Sequence, residues 1–212
     1  MATAHRYQVP AVAMSNPHCA EFEVNKSRFI AWVARCESIA DAQRLEQQAR
    51  TTYADARHHC SAFIAGPPGE QIAIGFSDDG EPGGTAGRPI YQVLAGSGLG
   101  QLGCIVIRYF GGIKLGTGGL VRAYTKAALL ALEQLPTQSY VSTEQVHLQV
   151  GFSDEHPARQ WCEAAGARIS DVAYSASGPV LTLDWPCDQP LQLDQLALSL
   201  ATPPQLIEAD TP

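Results

Sequence analysis

The 212-residue sequence lacks the long apolar runs of membrane proteins, because no stretch approaches the roughly 20 consecutive apolar residues of a transmembrane helix. The segment Met1–Asn16 has one Arg and no apolar core of the signal-peptide type, so we do not expect secretion. The six cysteines form no C-x-x-C pair, which excludes zinc knuckles and thioredoxin-type redox motifs. These absences favour a cytoplasmic protein with no membrane contact, no metal and no cofactor. We expect Met1–Asn16 and Asp210–Pro212, the Pro-containing ends, to be loose.

Basic side chains are scarce in the C-terminal third of the chain. Up to Ser139 the sequence has 12 Lys and Arg against 11 Asp and Glu, whereas from Tyr140 onward it has 2 against 10. The acidic stretch repels polyanions, so we expect any nucleic-acid surface to lie on the N-terminal part.

Glycine is also distributed unevenly. Of the 19 glycines, 16 lie between Gly66 and Gly119, and the later part of the chain has only three. The glycine and charge breaks together predict two domains, residues 1–138 and residues 139–212.

The hydrophobic pattern predicts an α+β fold for the first domain. Ser38 is followed three residues later by an acidic residue, which is typical of a capping box and begins a helix that runs to about Tyr53. The near-continuous apolar run Gly103–Phe110 is typical of a buried strand, and Thr117–Leu135 has the spacing of an amphipathic helix. The other predicted elements are strands over Cys19–Val24, Arg28–Arg35, Ser61–Ala65 and Gln71–Phe76, and a helix over Arg88–Ala95.

The second domain reads as strand, helix, strand, strand, helix, strand. This order is that of the ferredoxin-like split βαβ motif, a fold that does not assign chemistry by itself. The predicted elements are Val141–Phe152, Pro157–Ala165, Ala167–Tyr174, Val180–Trp185, Pro190–Leu200 and Gln205–Glu208.

Three clusters in the first domain could carry chemistry, and the first contains Arg57, His58, His59 and Cys60. Adjacent His and Cys residues are candidates for a thiol nucleophile or a metal site. In an extended strand, however, successive side chains point to opposite faces, so the three residues from His58 to Cys60 cannot converge. We therefore favour a buried Cys60 beside polar neighbours.

The second cluster is the glycine-rich segment Gly75–Pro89, with three carboxylates within four positions. These carboxylates lack the spacing of a calcium loop, but two or three of them could hold Mg²⁺ together with a phosphate. The alternative is a tight acidic turn whose glycines adopt positive φ and whose Asp residues cap the turn. Both interpretations stay open, and the candidate residues are Asp78, Asp79, Glu81 and Arg88.

The third cluster, Arg108–Gly119, lies between a buried strand and a helix. Free backbone amides at a helix N-terminus attract anions, and glycines let a phosphate approach the backbone closely. Tyr109 and Phe110 could stack on a base, although close packing of the helix on the sheet would also explain the glycines. No Gly-Lys-Ser/Thr ends the segment, so it is not a P-loop. The candidate residues for binding an anion or nucleic acid are Arg108, Tyr109, Gly111, Gly112, Lys114, Gly116, Thr117, Gly118, Gly119, Arg122 and Lys126.

The second and third clusters resemble the signature of the IMPACT/YigZ family. The similar stretches are Gly75–Pro82, Gly84–Pro89 and Arg108–Leu120, and Lys26–Ile30 and the dipeptide His59-Cys60 match as well. Together they run from about residue 19 to 134. The remainder resembles the C-terminal domain of bacterial members of the family in element order and length.

The resemblance implies a first domain with the superfold of ribosomal proteins and domain IV of elongation factor G. It implies a second, ferredoxin-like domain like the last domain of that factor, and a role around translation. The family has no assigned catalytic residues to carry over, and the sequence itself contains no recognisable catalytic base or nucleophile.

These observations favour a non-catalytic, translation-associated binding or regulatory protein that contacts RNA or the ribosome through its glycine-rich domain. A second hypothesis is a phosphate- or nucleotide-handling enzyme with Mg²⁺ held by Asp78, Asp79 and Glu81, which the lack of a Walker lysine disfavours. A third is a protein–protein regulator that binds a translation-related protein. The oligomeric state stays open.

Overall fold

The computed structural model describes residues 5–207. The chain divides into two compact units, Met1–Tyr140 and Val141–Pro212. Both units contain helices and sheets, so the predicted mixture of α and β structure is confirmed. Within the described residues, no helix is long and apolar enough to cross a membrane.

The first unit is built on a five-stranded antiparallel sheet. In chain order its elements are β1 (Arg6–Pro10), β2 (His18–Val24), β3 (Ser27–Arg35), α1 (Ile39–Thr52), β4 (His58–Ile64), β5 (Ile74–Ser77), α2 (Gly87–Gly96), β6 (Leu102–Tyr109), α3 (Gly116–Glu133) and β7 (Thr137–Val141). The strand order in the sheet is β2-β3-β6-β4-β5, so the apolar strand β6 lies at the centre, as its composition predicts.

Local sequence signals explain how several of these elements begin and turn. The side chain of Ser38 accepts a hydrogen bond from the Asp41 amide at 3.1 Å, and the Asp41 carboxylate accepts one from the Glu37 amide at 3.0 Å. This reciprocal pair starts α1 in the way that a capping box does. Strands β2 and β3 are joined by Asn25 and Lys26, whose positive φ angles of 46° and 61° allow a two-residue hairpin turn.

The two faces of the sheet bury separate cores because side chains alternate along each strand. On one face Phe29 and Val106 pack with α2 and α3, where Tyr124 is fully buried. On the other face Trp32 and Ile107 pack with α1. Arg108, two positions after Val106 on the same strand, therefore lies on the α2–α3 side of the sheet.

Two parts of the first unit differ from the sequence-based expectation. Strand β5 begins at Ile74 rather than at the predicted Gln71. Residues 5–16 were expected to be loose, but β1 pairs with β7 in a separate two-stranded sheet. The Ala11 amide also donates a hydrogen bond to the Pro136 carbonyl at 2.8 Å. Strand β7, which spans the predicted domain boundary at residue 138, exists because β1 supplies a partner for its backbone groups. The expectation for Asp210–Pro212 lies outside the described residues.

The second unit is a four-stranded antiparallel sheet with helices, in the predicted order of elements. Its elements are β8 (Thr143–Gln149), a short 3₁₀ turn (Phe152–Asp154), α4 (Glu155–Ala164), β9 (Arg168–Ser175), β10 (Gly178–Pro186), α5 (Leu193–Ala197) and β11 (Gln205–Ile207). The strand order is β11-β8-β10-β9. Its core includes Trp161 stacked on Trp185, with ring centroids 4.9 Å apart.

Two elements of the second unit are shorter than predicted. Strand β8 ends before Val150 because the buried Asp154 organises the following turn, accepting hydrogen bonds from the amides of Ala201 and Thr202. Helix α5 spans five residues rather than the predicted Pro190–Leu200, and no side chain caps its N-terminus.

Candidate anion-binding pocket

A pocket of about 380 Å³ lies where the three sequence clusters of the first unit meet. The sheet register brings the clusters together, because His58 on β4 pairs directly with Arg108 on β6. The turn after β5 and the start of α3 complete the walls. The polar side chains that line the pocket are Arg57, His58, Glu81, Arg108, Lys114 and Thr117.

The floor of the pocket contains a buried ion pair. Arg108 Nη1 donates a hydrogen bond to Glu81 Oε1 at 2.6 Å, and the Tyr124 hydroxyl donates to the same oxygen at 2.7 Å. The Arg108 guanidinium lies 5.6 Å from each of the ring centroids of Phe29 and Phe110. Its Nε atom is buried and makes no hydrogen bond with any described residue. A buried donor without a partner carries the cost of its lost hydration.

Cys60 lies beneath this ion pair and is buried, as the sequence predicts. Its thiol is 3.0 Å from the Asp78 carbonyl and 3.4 Å from the Tyr124 hydroxyl. Burial raises the pKa of the Cys60 thiol to about 12, and burial together with the neighbouring Cys60 and Glu81 raises the pKa of Tyr124. Cys60 is therefore protonated at neutral pH and does not have the thiolate that a nucleophile requires.

The carboxylates of the acidic turn bind separate internal partners. Asp78 accepts hydrogen bonds from the amides of Gly84, Ala86 and Gly87, so it caps both the turn and the start of α2. Burial alone raises the pKa of Asp78, but these three amides outweigh it and the pKa lies below its ordinary value.

Asp79 is held on the other side of the same turn. It accepts hydrogen bonds from Arg50 at 2.7 Å and from the His59 amide at 2.5 Å. Burial raises the pKa of Asp79, but the hydrogen bonds from Arg50 and the His59 amide outweigh burial, so the pKa lies below its ordinary value. With Glu81 paired to Arg108, the three carboxylates do not converge, and no group of three potential metal ligands occurs within residues 5–207.

The first polar groups of α3, unlike the carboxylates of the acidic turn, have no partners within the part of the chain that the structure describes. Leu115 occupies the N-cap position and provides no side-chain hydrogen bond. The amides of Gly116 and Thr117 donate to no group among the described residues. Lys114 is exposed and forms no ion pair within residues 5–207. Gly116 has φ +70°, a conformation that favours glycine.

The fold itself explains why two positions before α3 are glycine. A Cβ on Gly111 would lie 1.9 Å from the backbone of Lys26, and the Gly111 amide donates to the Ser27 hydroxyl at 3.1 Å. Gly112 has φ +88°, which a side chain rarely tolerates. Close packing and turn geometry, rather than a ligand, account for both.

Three comparisons relate the chain to known proteins. The model of the Impact N-terminal domain matches residues 25–132. An IMPACT family member of Haemophilus influenzae is 40% identical over 74% of this chain and 76% of its own length. YigZ of Escherichia coli, also an IMPACT family member, is 47% identical over 61% of this chain and 64% of its own length.

The chain belongs to the IMPACT family. Every residue of the pocket falls inside the range matched by the family's N-terminal domain. A solved crystal structure of a hypothetical protein covers 98% of both chains at 34% identity, with a TM-score of 0.77. The structure of the two-domain translational regulator Yih1 overlaps with 56% of this chain at 19% identity and a TM-score of 0.33, which is too weak a likeness to carry an argument.

Some of the predicted site residues of this IMPACT-family chain lie away from the pocket. Tyr109 follows Arg108 and so lies on the α1 face, where its hydroxyl donates to Asp55 at 2.6 Å and this hydrogen bond raises its pKa to about 12. Lys126 lies over the Phe22 ring at 4.7 Å. Eight further candidates do not line the pocket: Asp78, Asp79, Arg88, Gly111, Gly112, Gly118, Gly119 and Arg122.

Two pocket residues of the IMPACT domain were not chosen from the sequence. His58 Nδ1 lies 2.8 Å from the Asp79 carbonyl, which fixes Nδ1 as the donor and leaves Nε2 without a partner within residues 5–207. Arg57 is exposed and also forms no ion pair in that range. Their only sequence signal was the polar cluster before β4, which did not reveal the pairing of His58 with Arg108.

Proposed function

We propose that this IMPACT-family protein is a translation-associated binding protein that contacts RNA or the ribosome through the pocket of its first unit. The observation that carries the proposal is the free N-terminus of α3 beside Lys114 and Arg57, neither of which has an internal counter-ion among the described residues. Helix N-terminal amides next to unpaired cations attract phosphate groups.

The distribution of charge supports the same assignment. The chain is nearly balanced up to Ser139, with 12 basic against 11 acidic residues, and strongly acidic afterwards, with 2 against 10. We assign RNA binding to the first unit and propose that the acidic second unit weakens it by repulsion. We also propose that the two units are independent domains, with the boundary near residue 138.

The fold of each unit agrees with this function. We propose that the first unit has the superfold of ribosomal proteins and domain IV of elongation factor G. For the second unit we propose a ferredoxin-like domain, because its βαββαβ order is combined with the strand order β11-β8-β10-β9. Both proposals follow from the element order and from the family resemblance, and neither assigns catalysis.

The test is a titration of fluorescent single-stranded RNA with the full chain and with fragment 1–141, which keeps β7 whole, at increasing salt. If phosphate contacts supply the affinity, log K falls with log salt by about 0.7 per contact for single strands. Lys114→Ala should reduce that slope by about 0.7, and the fragment should bind more tightly than the full chain.

An absence of salt-dependent binding to single-stranded RNA, duplex RNA and ribosomes would overturn the proposal. The function would then be that of a protein–protein regulator. Limited proteolysis is the matching test of the domain boundary, and because β7 (Thr137–Val141) is paired with β1, we expect cleavage just after that strand.

A further inference from the structure

We propose that the pocket receives a terminal phosphate monoester, the phosphate at an RNA end, rather than the internal phosphodiesters of the strand. This inference rests on the proposed function that RNA binds at this site. It specifies which part of the RNA enters the pocket and which groups of the protein meet it.

The first support is the state of Arg108. Its residue is only 6% exposed, it lines the pocket, and its Nε has no hydrogen-bond partner within residues 5–207. The ion pair with Glu81 fixes the guanidinium through Nη1, while Nε is buried without an acceptor among the described residues. Arginine provides several donors in a planar fork that suits phosphate oxygens, so an acceptor in the pocket would complete this group.

The second support is the start of α3, which is independent of Arg108. The amides of Gly116 and Thr117 donate to no group within residues 5–207, and both residues line the pocket. Gly116 and Thr117 therefore present two backbone donors to the pocket at the positive end of the α3 dipole.

The balance of charge favours a dianion. Glu81 neutralises Arg108, so Lys114, Arg57 and the positive end of the α3 dipole remain uncompensated among the described groups. A phosphate monoester carries a charge of about −1.5 to −2 at neutral pH and presents three free oxygens. An internal phosphodiester carries one negative charge and two such oxygens, which is fewer than the donors that line this pocket.

The shape of the site agrees with a chain end. The deepest donor, Arg108, is covered by Phe110, which is itself 50% exposed at the rim. In our proposal a compact terminal group occupies the end of the pocket against Arg108, while the adjoining nucleoside remains outside and stacks on the Phe110 ring. The volume of about 380 Å³ is in the range of pockets that hold a small molecule.

The experiment compares one short single-stranded RNA in three forms, with a 5′-phosphate, with a 3′-phosphate and with hydroxyl groups at both ends. Each fluorescently labelled RNA is titrated with the full chain at fixed salt to give its affinity, and the ³¹P resonance of the terminal phosphate is followed in the two phosphorylated forms. At least one phosphorylated form should bind about tenfold more tightly than the hydroxyl form, since one charged hydrogen bond is of that order. Lys114→Ala should abolish this preference. Lys126→Ala removes the same charge outside the pocket and should lower all three affinities alike while keeping their ratio.

Each outcome decides between the two proposals. Equal binding of the three RNAs, or an unchanged preference in Lys114→Ala, overturns the monoester assignment and leaves RNA binding intact. If none of the RNAs binds, both proposals fall. A phosphoserine peptide serves as the comparison ligand, and if it binds while the phosphorylated RNAs do not, an RNA end is excluded as the ligand.

Discussion

The acidic turn after β5 and the glycine loop before α3 face the same pocket, yet their polar groups are in opposite states. Asp78 and Asp79 bind amides and Arg50 within the protein. Lys114 and the first amides of α3 bind nothing among the described residues. In the sequence both segments are glycine-rich and charged, and both were candidates for a ligand site.

The difference shows that the density of charge in a loop does not identify a binding site. What distinguishes the two segments is whether their donors and acceptors already have partners. A satisfied carboxylate maintains the shape of a turn, whereas an unsatisfied donor retains its capacity to bind a ligand. Substitutions in the acidic turn should therefore affect folding, and substitutions in the glycine loop should affect binding.

The largest effect should come from breaking the buried ion pair. Glu81→Gln leaves the Arg108 charge buried and uncompensated, so the free energy of unfolding should fall by about 3–5 kcal/mol. Glu21→Gln is the matched control, because the Glu21–Arg28 pair is 48% exposed on both sides and should cost less than about 1 kcal/mol. Urea unfolding measures both. Equal losses in the two variants would contradict the structural role assigned to Glu81.

Removing the cap of the acidic turn should have the next largest effect. Asp78→Ala deletes the acceptor for three amides and should lower the free energy of unfolding by about 1–3 kcal/mol. The same variant should bind RNA as the parent does once both are folded. If RNA binding is lost while the free energy of unfolding is unchanged, the turn is part of the binding site instead.

Lowering the pH should gradually remove the contribution of Asp78 to the free energy of unfolding. The pKa values of Asp78 and Asp79 are lowered in the folded protein, so their stabilisation is complete above the unfolded value of about 3.9 and is lost as pH falls through the folded values. The difference in unfolding free energy between the parent and Asp78→Ala should therefore narrow below about pH 4. A difference that stays constant down to the acid transition would argue against ionised Asp78 as the cap.

The smallest change in the free energy of unfolding should come from a substitution at the start of α3, and it should be an increase rather than a decrease. Gly118→Ala is free of strain and should raise the free energy of unfolding by about 0.4–1 kcal/mol, whereas binding of a terminal phosphate should be unchanged because Gly118 does not line the pocket. Gly119→Ala is the control, because its Cβ would lie 3.0 Å from Leu115 Cβ and the gain in stability should be smaller or absent. Thermal melts and RNA titrations measure the two effects. Destabilisation by Gly118→Ala would indicate that this glycine serves the fold.

Much of the fold could be predicted from the sequence because its signals are local. The capping residues at Ser38 and the apolar run of β6 predicted α1 and the central strand, and both are observed. Strands β1 and β7 could not be predicted, since each is stabilised by a partner more than a hundred positions away. Short strands without alternation depend on that pairing rather than on their own composition.

The candidate site was only partly predictable for the same reason. The loop with Lys114 was recognisable from its glycines and its position before a helix. The contribution of His58 depends on the register between β4 and β6, and that of Arg108 depends on its ion pair with Glu81, 27 positions earlier. Tyr109 was chosen with Arg108, but alternation along β6 places the two on opposite faces.

Because β1 pairs with β7, the first and last strands of the first unit lie side by side. A module with adjacent ends can be spliced into a surface loop of an unrelated carrier protein without stretching the host backbone. The segment from Arg6 to Val141 is therefore suited to insertion into another protein, because it contains both strands of the pair. A graft that included β7 but omitted β1 would leave an unpaired edge at the splice, the kind of exposed strand that promotes aggregation.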